Sequence, residues 1–374
     1  MGIQHEQIQE LSARATMLTS RPDGITYSVA YHDGALLLQH IDAEKQACGP
    51  ASLWKLHQSD RLMLEWADSC SGIPGTPEVL AALEAAFARY PDQHKLNLLA
   101  PVGQADDLFR SGVLLKDQDG QLVVRAELLW QQPRIWLTHP SSHAFPASYI
   151  LSHGRRHPLR PPKPIGTVYQ RHIPWLGRTL SFRAVNIEYD LHRFSRWMND
   201  PVVAHAWGEQ GDLARHRAYL DGICADQHVT GLVSCLDDEA FGYFEVYWAK
   251  EDRVAPFYEA EDFDRGWHVL IGEPRFRGKP FVTAWLPSIS HYLFLEDCRT
   301  RHIVIEPRSD NHKMIRNLAR CGYANLKEFD FPHKRAMLGM LLRERFFEER
   351  LWVPRTDATT PPRTASPAIT LFST

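Results

Sequence analysis

Two spacings of apolar residues mark out the elements of the chain. In "ITYSVAYHDGALLLQH", from Ile25 to His40, two β-prone runs flank Asp33-Gly34, a dipeptide suited to a two-residue hairpin turn because both positions tolerate positive φ. In "TPEVLAALEAAFARY" the spacing becomes helical, with Val79, Leu80, Leu83 and Phe87 on one face, Thr76 as the expected cap and Pro77 in the first turn. "KLNLLAPV" then reads as a buried strand, and "GVLLKDQDGQLVVRAELLW" as a second hairpin turning at Asp119-Gly120.

The pattern lapses at "HGRRHPLRPPKP", His153 to Pro164, where basic residues and prolines offer no core and predict an extended linker. The expected domains are an accessory α+β domain over 1–152, a linker over 153–166, a second domain over 167–350 and a flexible Pro/Thr/Ser/Ala-rich tail over 351–374. Past the junction come the strand "TLSFRAV", the helices "LHRFSRWMND" and "HRAYLDGICAD", and the strands "TGLVSCLDD" and "AFGYFEVYWAK" around Asp237, Asp238 and Glu239. "GWHVLIGEPRFRGKPFVTAW" supplies strand, loop and helix, "RHIVIEP" a strand, and "DNHKMIRNLARCGY" a helix capped by Asp310 and stopped near Gly322. "NLKEFDF" and "RAMLGMLLRERFF" close the set as strands. This order fits an α/β (α+β) fold, a mostly antiparallel mixed sheet with helices on both faces. Pro287, inside the helix expected from Pro280 to Leu295, predicts a kink or break.

Composition narrows the function classes. With 374 residues, 44% hydrophobic, 23% charged and a net charge of -3, the chain is that of a globular protein without the basic excess of a nucleic-acid binder. Its six cysteines are scattered, with no spacing for a zinc site, and His32, His40, His57 and His94 fall singly, so no metal is expected. The N-terminal "MGIQHEQIQE" lacks a signal-peptide pattern, Glu6 stands where a lipidation signal needs Ser or Thr, and no run is long enough to cross a bilayer. A cytoplasmic protein without membrane or nucleic-acid partners is expected.

Candidate chemistry concentrates at His268, in the apolar strand "HVLIG", and in the loop that follows. A helix N-terminus presents free N–H groups and a positive dipole end to phosphate; Arg275, Arg277 and Lys279 add charge, and Gly278 allows close backbone approach. Taken singly, the residues also read as a core histidine and a solvated basic turn. Together, the strand, the R-x-x-G-x loop opening a helix, and the later strand and helix ending in "LARCGY" resemble the GNAT acyltransferases. "RFSRWMNDPVV", "FGYFEVYWAKEDR", "DRGWHVLIGE", "RGKPFVTAWLPSISHYLF", "EPRSDN" and "KEFDFPHKRAML" are similar to segments of the aerobactin-type N-hydroxylysine acetyltransferases of siderophore biosynthesis.

That resemblance implies acyl transfer from acetyl-CoA or another acyl-CoA to an N-hydroxylated amine (N-hydroxylysine, N-hydroxyornithine or an N-hydroxydiamine), yielding a hydroxamate. By the same resemblance His268 and Asp310 flank the acceptor; Ile271, Arg275, Arg277, Gly278 and Lys279 contact the coenzyme, and Asn311 lies beside its pantetheine arm. Pro280 departs from the usual Gly or Ala and removes one backbone donor. His268 is the candidate base, with Asp310 orienting it, binding the hydroxylamine, or simply capping a helix. A hydroxylamine nitrogen is largely unprotonated near neutral pH, so positioning should outweigh base catalysis. Trp197, Asn199 and Asp200, with Glu245, Tyr247 and Trp248, are candidates for an acceptor cleft. Strand alternation puts Glu245 and Tyr247 on one face and Trp248 on the other, so only one set can face the acceptor. His333, Lys334 and Arg335 form a basic turn that meets a carboxylate, the coenzyme or solvent. Acetylation of an ordinary primary amine and non-catalytic acyl-CoA binding remain alternatives. The first domain is expected to shape the acceptor cleft or mediate a homodimer, and to be a degenerate copy of the same fold without the basic loop.

Overall fold

The computed structural model describes residues 18–67, 72–102, 106–141, 143–152 and 154–354; the N-terminal segment and the tail beyond Pro354 lie outside them. The first half contributes β1 (Leu18–Ser20), β2 (Tyr27–His32), β3 (Ala35–His40), β4 (Ser52–Gln58), β5 (Leu62–Trp66), β6 (Lys95–Leu99), β7 (Leu115–Lys116) and β8 (Leu122–Arg125). They form one sheet in the order β1-β2-β3-β4-β5-β6-β8-β7. A small ribbon pairs β9 (Tyr149–Ser152) with β10 (Arg155–Pro158). The second half contributes β11 (Thr167–Ile173), β12 (Arg178–Ala184), β13 (Val229–Leu236), β14 (Glu239–Trp248), β15 (Arg265–Ile271), β16 (His302–Ile305), β17 (Ala324–Phe331) and β18 (Lys334–Leu342). Their order, β11-β12-β13-β14-β15-β16-β18-β17, repeats the first sheet strand for strand.

Among the described residues, the one parallel pair in each large sheet is the fifth strand with the sixth, β5–β6 and β15–β16. A parallel pair needs a crossover, and the helices Thr76–Arg89 and Lys279–Glu296 supply it. Each helix follows a glycine, Gly75 or Gly278, and carries proline as its second residue. The hairpins form where the turn residues predict them: Asp33 and Gly34 take φ of 44° and 78°, and Asp237 and Asp238 take 46° and 68°.

Several local expectations are corrected. Thr76 is the first helical residue rather than the cap, which is Gly75. Asn311, not Asp310, caps the helix His312–Arg320, accepting from the Met314 N–H at 3.1 Å. The strand expected over "RAMLGMLLRERFF" stops at Leu342, where a helix, Arg343–Glu348, begins. The crossover helix runs unbroken through Pro287, since packing of its buried second half outweighs the lost backbone bond. β11 and the helix Pro201–Trp207 were not foreseen.

The proline-rich junction is not a free tether. β10 occupies part of it, and the buried Arg160 binds Glu251 through Nε and Nη2, both at 2.5 Å, while its guanidinium lies 4.3 Å from the Trp248 ring centre. The two halves also share one apolar core. Trp130 stacks between Trp136 and Trp352, each at 4.5 Å, and His291 bridges Trp130 O (2.6 Å) to the Tyr169 hydroxyl (2.9 Å). Leu351 and Trp352, placed in the tail by composition, are buried in that core.

Candidate active site

Antiparallel register sets Glu245 directly opposite His268 across β14 and β15, and Tyr247 opposite Gly266. A side chain at 266 would collide with the Tyr247 ring 2.2 Å away. Glycine there lets Tyr247 lie against His268, ring centres 4.9 Å apart. On the other side β16 pairs with β15 at Arg265 and Gly266, the latter opposite Val304, so Glu306, two residues on, falls beside His268.

The imidazole is thus held between two carboxylates. Its Nε2 is 2.7 Å from Glu306 Oε1 and its Nδ1 is 3.4 Å from Glu245 Oε2. Tyrosines fix the remaining oxygens: Tyr247 donates to Glu306 Oε2 at 2.8 Å, and Tyr219 and Tyr243 donate to Glu245 Oε1 at 2.6 and 3.1 Å. Lys334 donates to the Glu306 carbonyl at 2.7 Å, and Arg253 lies 3.5 Å from its carboxylate. Glu306 is fully buried, whereas the His268 side chain keeps 24% of its surface exposed. Burial opposes charge on the ring, but the Glu306 and Glu245 carboxylates override it and raise its pKa to about 10. Burial likewise opposes ionisation of Glu306, yet His268, Lys334 and the Tyr247 hydroxyl hold it well below the usual carboxylate range. The two carboxylates thus favour the protonated form of the ring.

Beyond Gly266 the strands part. β14 accompanies β15 as far as Ile271, but β16 does not. On β15, the Val269 carbonyl accepts from Trp207 Nε1 at 3.3 Å and the Ile271 carbonyl from Arg277 Nε at 2.9 Å. Arg277 also reaches Asp200 at 3.2 Å, so it braces the loop. Arg275 is exposed and pairs with Glu239. Gly278 takes φ of 118°, a conformation that favours glycine. Among the described residues no backbone acceptor meets the N–H groups of Gly278 or Lys279. Pro280 withholds one donor from this helix start.

Residues 186–331 match the family described as acetyltransferase (GNAT) domain. Over 230 residues the chain is 41% identical to N(6)-hydroxylysine O-acetyltransferase of Escherichia coli, covering 61% of this chain and 72% of that protein. It belongs to the GNAT acyltransferases. It is also 44% identical over 198 residues to the N(5)-hydroxyornithine:cis-anhydromevalonyl coenzyme A-N(5)-transacylase of Beauveria bassiana (51% of this chain, 43% of that one). An acyltransferase of Omphalotus olearius is 35% identical over 302 residues, 73% of this chain and 76% of its own.

In this acyltransferase the structure assembles part of the expected site. His268, Glu245 and Tyr247 come together, and Ile271, Arg277, Gly278 and Lys279 line the adjoining strand end and loop. Trp197 does not join them: it is 2% exposed, donates to Glu273 at 2.9 Å and fills the space above Gly272. Asn199 closes a helix end, donating to Ser195 O and Gly211 O. Asp200 caps the next helix. Trp248 points to the opposite face, between Arg160 and Arg265. Asp310 is exposed and pairs with Arg308 at 2.8 Å, so Glu306 and Glu245 orient the ring instead. Asn311 spends its side-chain oxygen on its helix cap. In the basic turn Lys334 turns inward to Glu306, His333 stacks on Phe331 and Arg335 pairs with Glu328. Glu306 escaped the sequence reading although its signal was present: a carboxylate at the end of an apolar strand, in phase with His268 once β15 and β16 are taken as parallel neighbours.

Proposed function

We propose that this acyltransferase moves an acyl group from acyl-CoA to the nitrogen of an N-hydroxylated amine, N-hydroxylysine, N-hydroxyornithine or an N-hydroxydiamine, forming a hydroxamate for siderophore biosynthesis. The observation that carries the chemistry is the buried row Glu245–His268–Glu306 at the mouth of the gap between β15 and β16. The names of the relatives from Escherichia coli and Beauveria bassiana support the acceptor class.

The hydroxylamine nitrogen arrives neutral, so no ammonium proton has to be stripped before attack. As the N–C bond forms, the nitrogen sheds its proton to Glu245; as the C–S bond breaks, the electron pair leaves on sulfur and His268 protonates it through Nδ1. The 3.4 Å contact to Glu245 is the loose arm of the ring, able to exchange its acceptor for substrate, while the 2.7 Å contact to Glu306 anchors it. In this reading Asp310, exposed and paired with Arg308, takes no part in the proton path.

The coenzyme's diphosphate is assigned to the start of the helix Lys279–Glu296, where the N–H groups of Gly278 and Lys279 meet no backbone acceptor among the described residues, the helix dipole is positive, and the exposed Lys279 adds charge. Arg277 shapes the loop, and Asn311 borders the pantetheine path. The first half, with the same strand order and the same glycine-x-proline helix start but no Arg or Lys from Ser71 to Pro77, is read as a degenerate copy that does not bind coenzyme. We read the enzyme as cytoplasmic, consistent with five free cysteines among the described residues.

The test compares N6-hydroxylysine with lysine as acceptors for acetyl-CoA, following free thiol and the colour of the ferric hydroxamate. Thiol release faster with hydroxylysine by at least about tenfold, with coloured product, is expected. Equal or faster turnover of lysine overturns the reading. Acylation at oxygen, which the Escherichia coli relative's name specifies, would release thiol from hydroxylysine without the ferric colour.

A further inference from the structure

Glu306 has a third cationic neighbour besides His268 and Lys334. Arg253, in the loop after β14, brings Nη2 to 3.5 Å from Glu306 Oε1, the oxygen that also meets His268 Nε2 at 2.7 Å. At that separation the pair is ionic without a hydrogen bond, and among the described residues no acceptor holds the guanidinium. The side chain is 49% exposed and rests 5.4 Å from the Phe331 ring centre. Lys334 lies 5.4 Å from the same ring, and His333 stacks on it at 5.5 Å. Arg253 is felt at the other end of the buried row too. At Tyr219, which donates to Glu245, it opposes the rise in pKa caused first by burial and then by Glu245.

The other charges nearby are already engaged. Asp252 accepts from the Val254 N–H at 2.9 Å and faces His228 at 3.8 Å, while Arg308 is held by Asp310. Arg253 therefore presents an unfilled planar fork of N–H groups beside the reacting row, the geometry that receives a carboxylate in two hydrogen bonds. An acceptor must bring its hydroxylamine end to His268 and Glu245; its far end meets whatever surrounds them. A hydroxyamino acid carries a carboxylate at that end, whereas a hydroxydiamine carries an ammonium and no anion. Beside Arg253 and Lys334 the first forms a charge-assisted pair and the second meets like charge.

We propose that Arg253 determines specificity for the far end of the acceptor: it binds the α-carboxylate and so selects an N-hydroxylated amino acid over an N-hydroxylated diamine. The inference rests on the acyl transfer proposed above and narrows its acceptor.

N6-hydroxylysine and N-hydroxycadaverine differ by that carboxylate alone. Both are given to the full chain with saturating acetyl-CoA, and kcat and KM are read from free thiol and ferric hydroxamate colour. The wild type should favour hydroxylysine at least about tenfold in kcat/KM, mainly through KM. Arg253→Met should remove the preference, raising KM for hydroxylysine at least about tenfold with a smaller change in kcat. Arg253→Lys, which keeps the charge without the fork, should restore part of it. Coloured product from both acceptors with equal kcat/KM in the wild type would keep the acyl transfer and overturn this inference. A loss in Arg253→Met that falls equally on both acceptors, the mark of a role exerted through Glu306 and His268, would overturn it as well. No hydroxamate from either acceptor would overturn the proposed function, and this inference with it.

Discussion

Replacing Glu306 by Gln keeps the shape of the site but removes the charge that holds His268 protonated. The interval between the ordinary value of 6.5 and about 10 for this ring corresponds to roughly 5 kcal/mol of preference for its charged form, shared between two carboxylates. Glu306, at 2.7 Å, holds the larger part. With only Glu245 left at 3.4 Å and burial opposing charge, His268 in the variant should titrate near or below its ordinary value. The folded wild type binds one more proton than the unfolded chain between about pH 6.5 and 10. This contribution to stability is therefore complete below 6.5, falls by about 1.4 kcal/mol per pH unit across that window, and is gone above 10. The variant should lose that slope and, at pH 6, about 3 kcal/mol of stability from breaking a buried pair. Urea unfolding from pH 6 to 10, with an NMR titration of the His268 ring, reads both effects. A wild-type ring titrating near 6.5, or a variant ring still titrating near 10, would refute the reasoning.

Four other perturbations follow. Gly266→Ala should push the Tyr247 ring off His268 and Glu306, cutting kcat more than about tenfold while a folded chain persists by circular dichroism. Gly278→Val meets no neighbour within 4 Å but strains a backbone at φ 118°, so it should cost about 1 kcal/mol or more and raise KM for acyl-CoA, not for the acceptor. Trp248→Ala should destabilise the fold by about 3–5 kcal/mol and leave acceptor KM unchanged, since the ring lies between Arg160 and Arg265 on the other face. Asp310→Asn should keep kcat within a few-fold of wild type; a loss of several orders of magnitude would restore it to the proton path.

What the sequence made legible was whatever depends on neighbours along the chain. Asp33-Gly34 predicts its hairpin because the turn chemistry is local, and strand alternation alone puts Glu245 and Tyr247 on one face. The basic loop before Lys279 was readable for the same reason. Contacts between distant strands were not readable. Glu306 meets His268 only because β16 runs parallel to β15 after an 18-residue helix, and nothing within either strand announces that register. Trp197 and Trp248 look like cleft residues by composition but serve packing: Gly272 makes room for one, and two arginines enclose the other. The junction misled for a related reason. Arg160 reads as solvated until Glu251, far along the chain, supplies its partner.

The most direct test of the account is the position of coenzyme sulfur in a crystal of this chain grown with coenzyme A. The sulfur should stand between the diverging ends of β15 and β16, within hydrogen-bond reach of His268 Nδ1 directly or through one water, with the diphosphate against Gly278 and Lys279. A diphosphate seated elsewhere, or a sulfur out of reach of that ring, would contradict it.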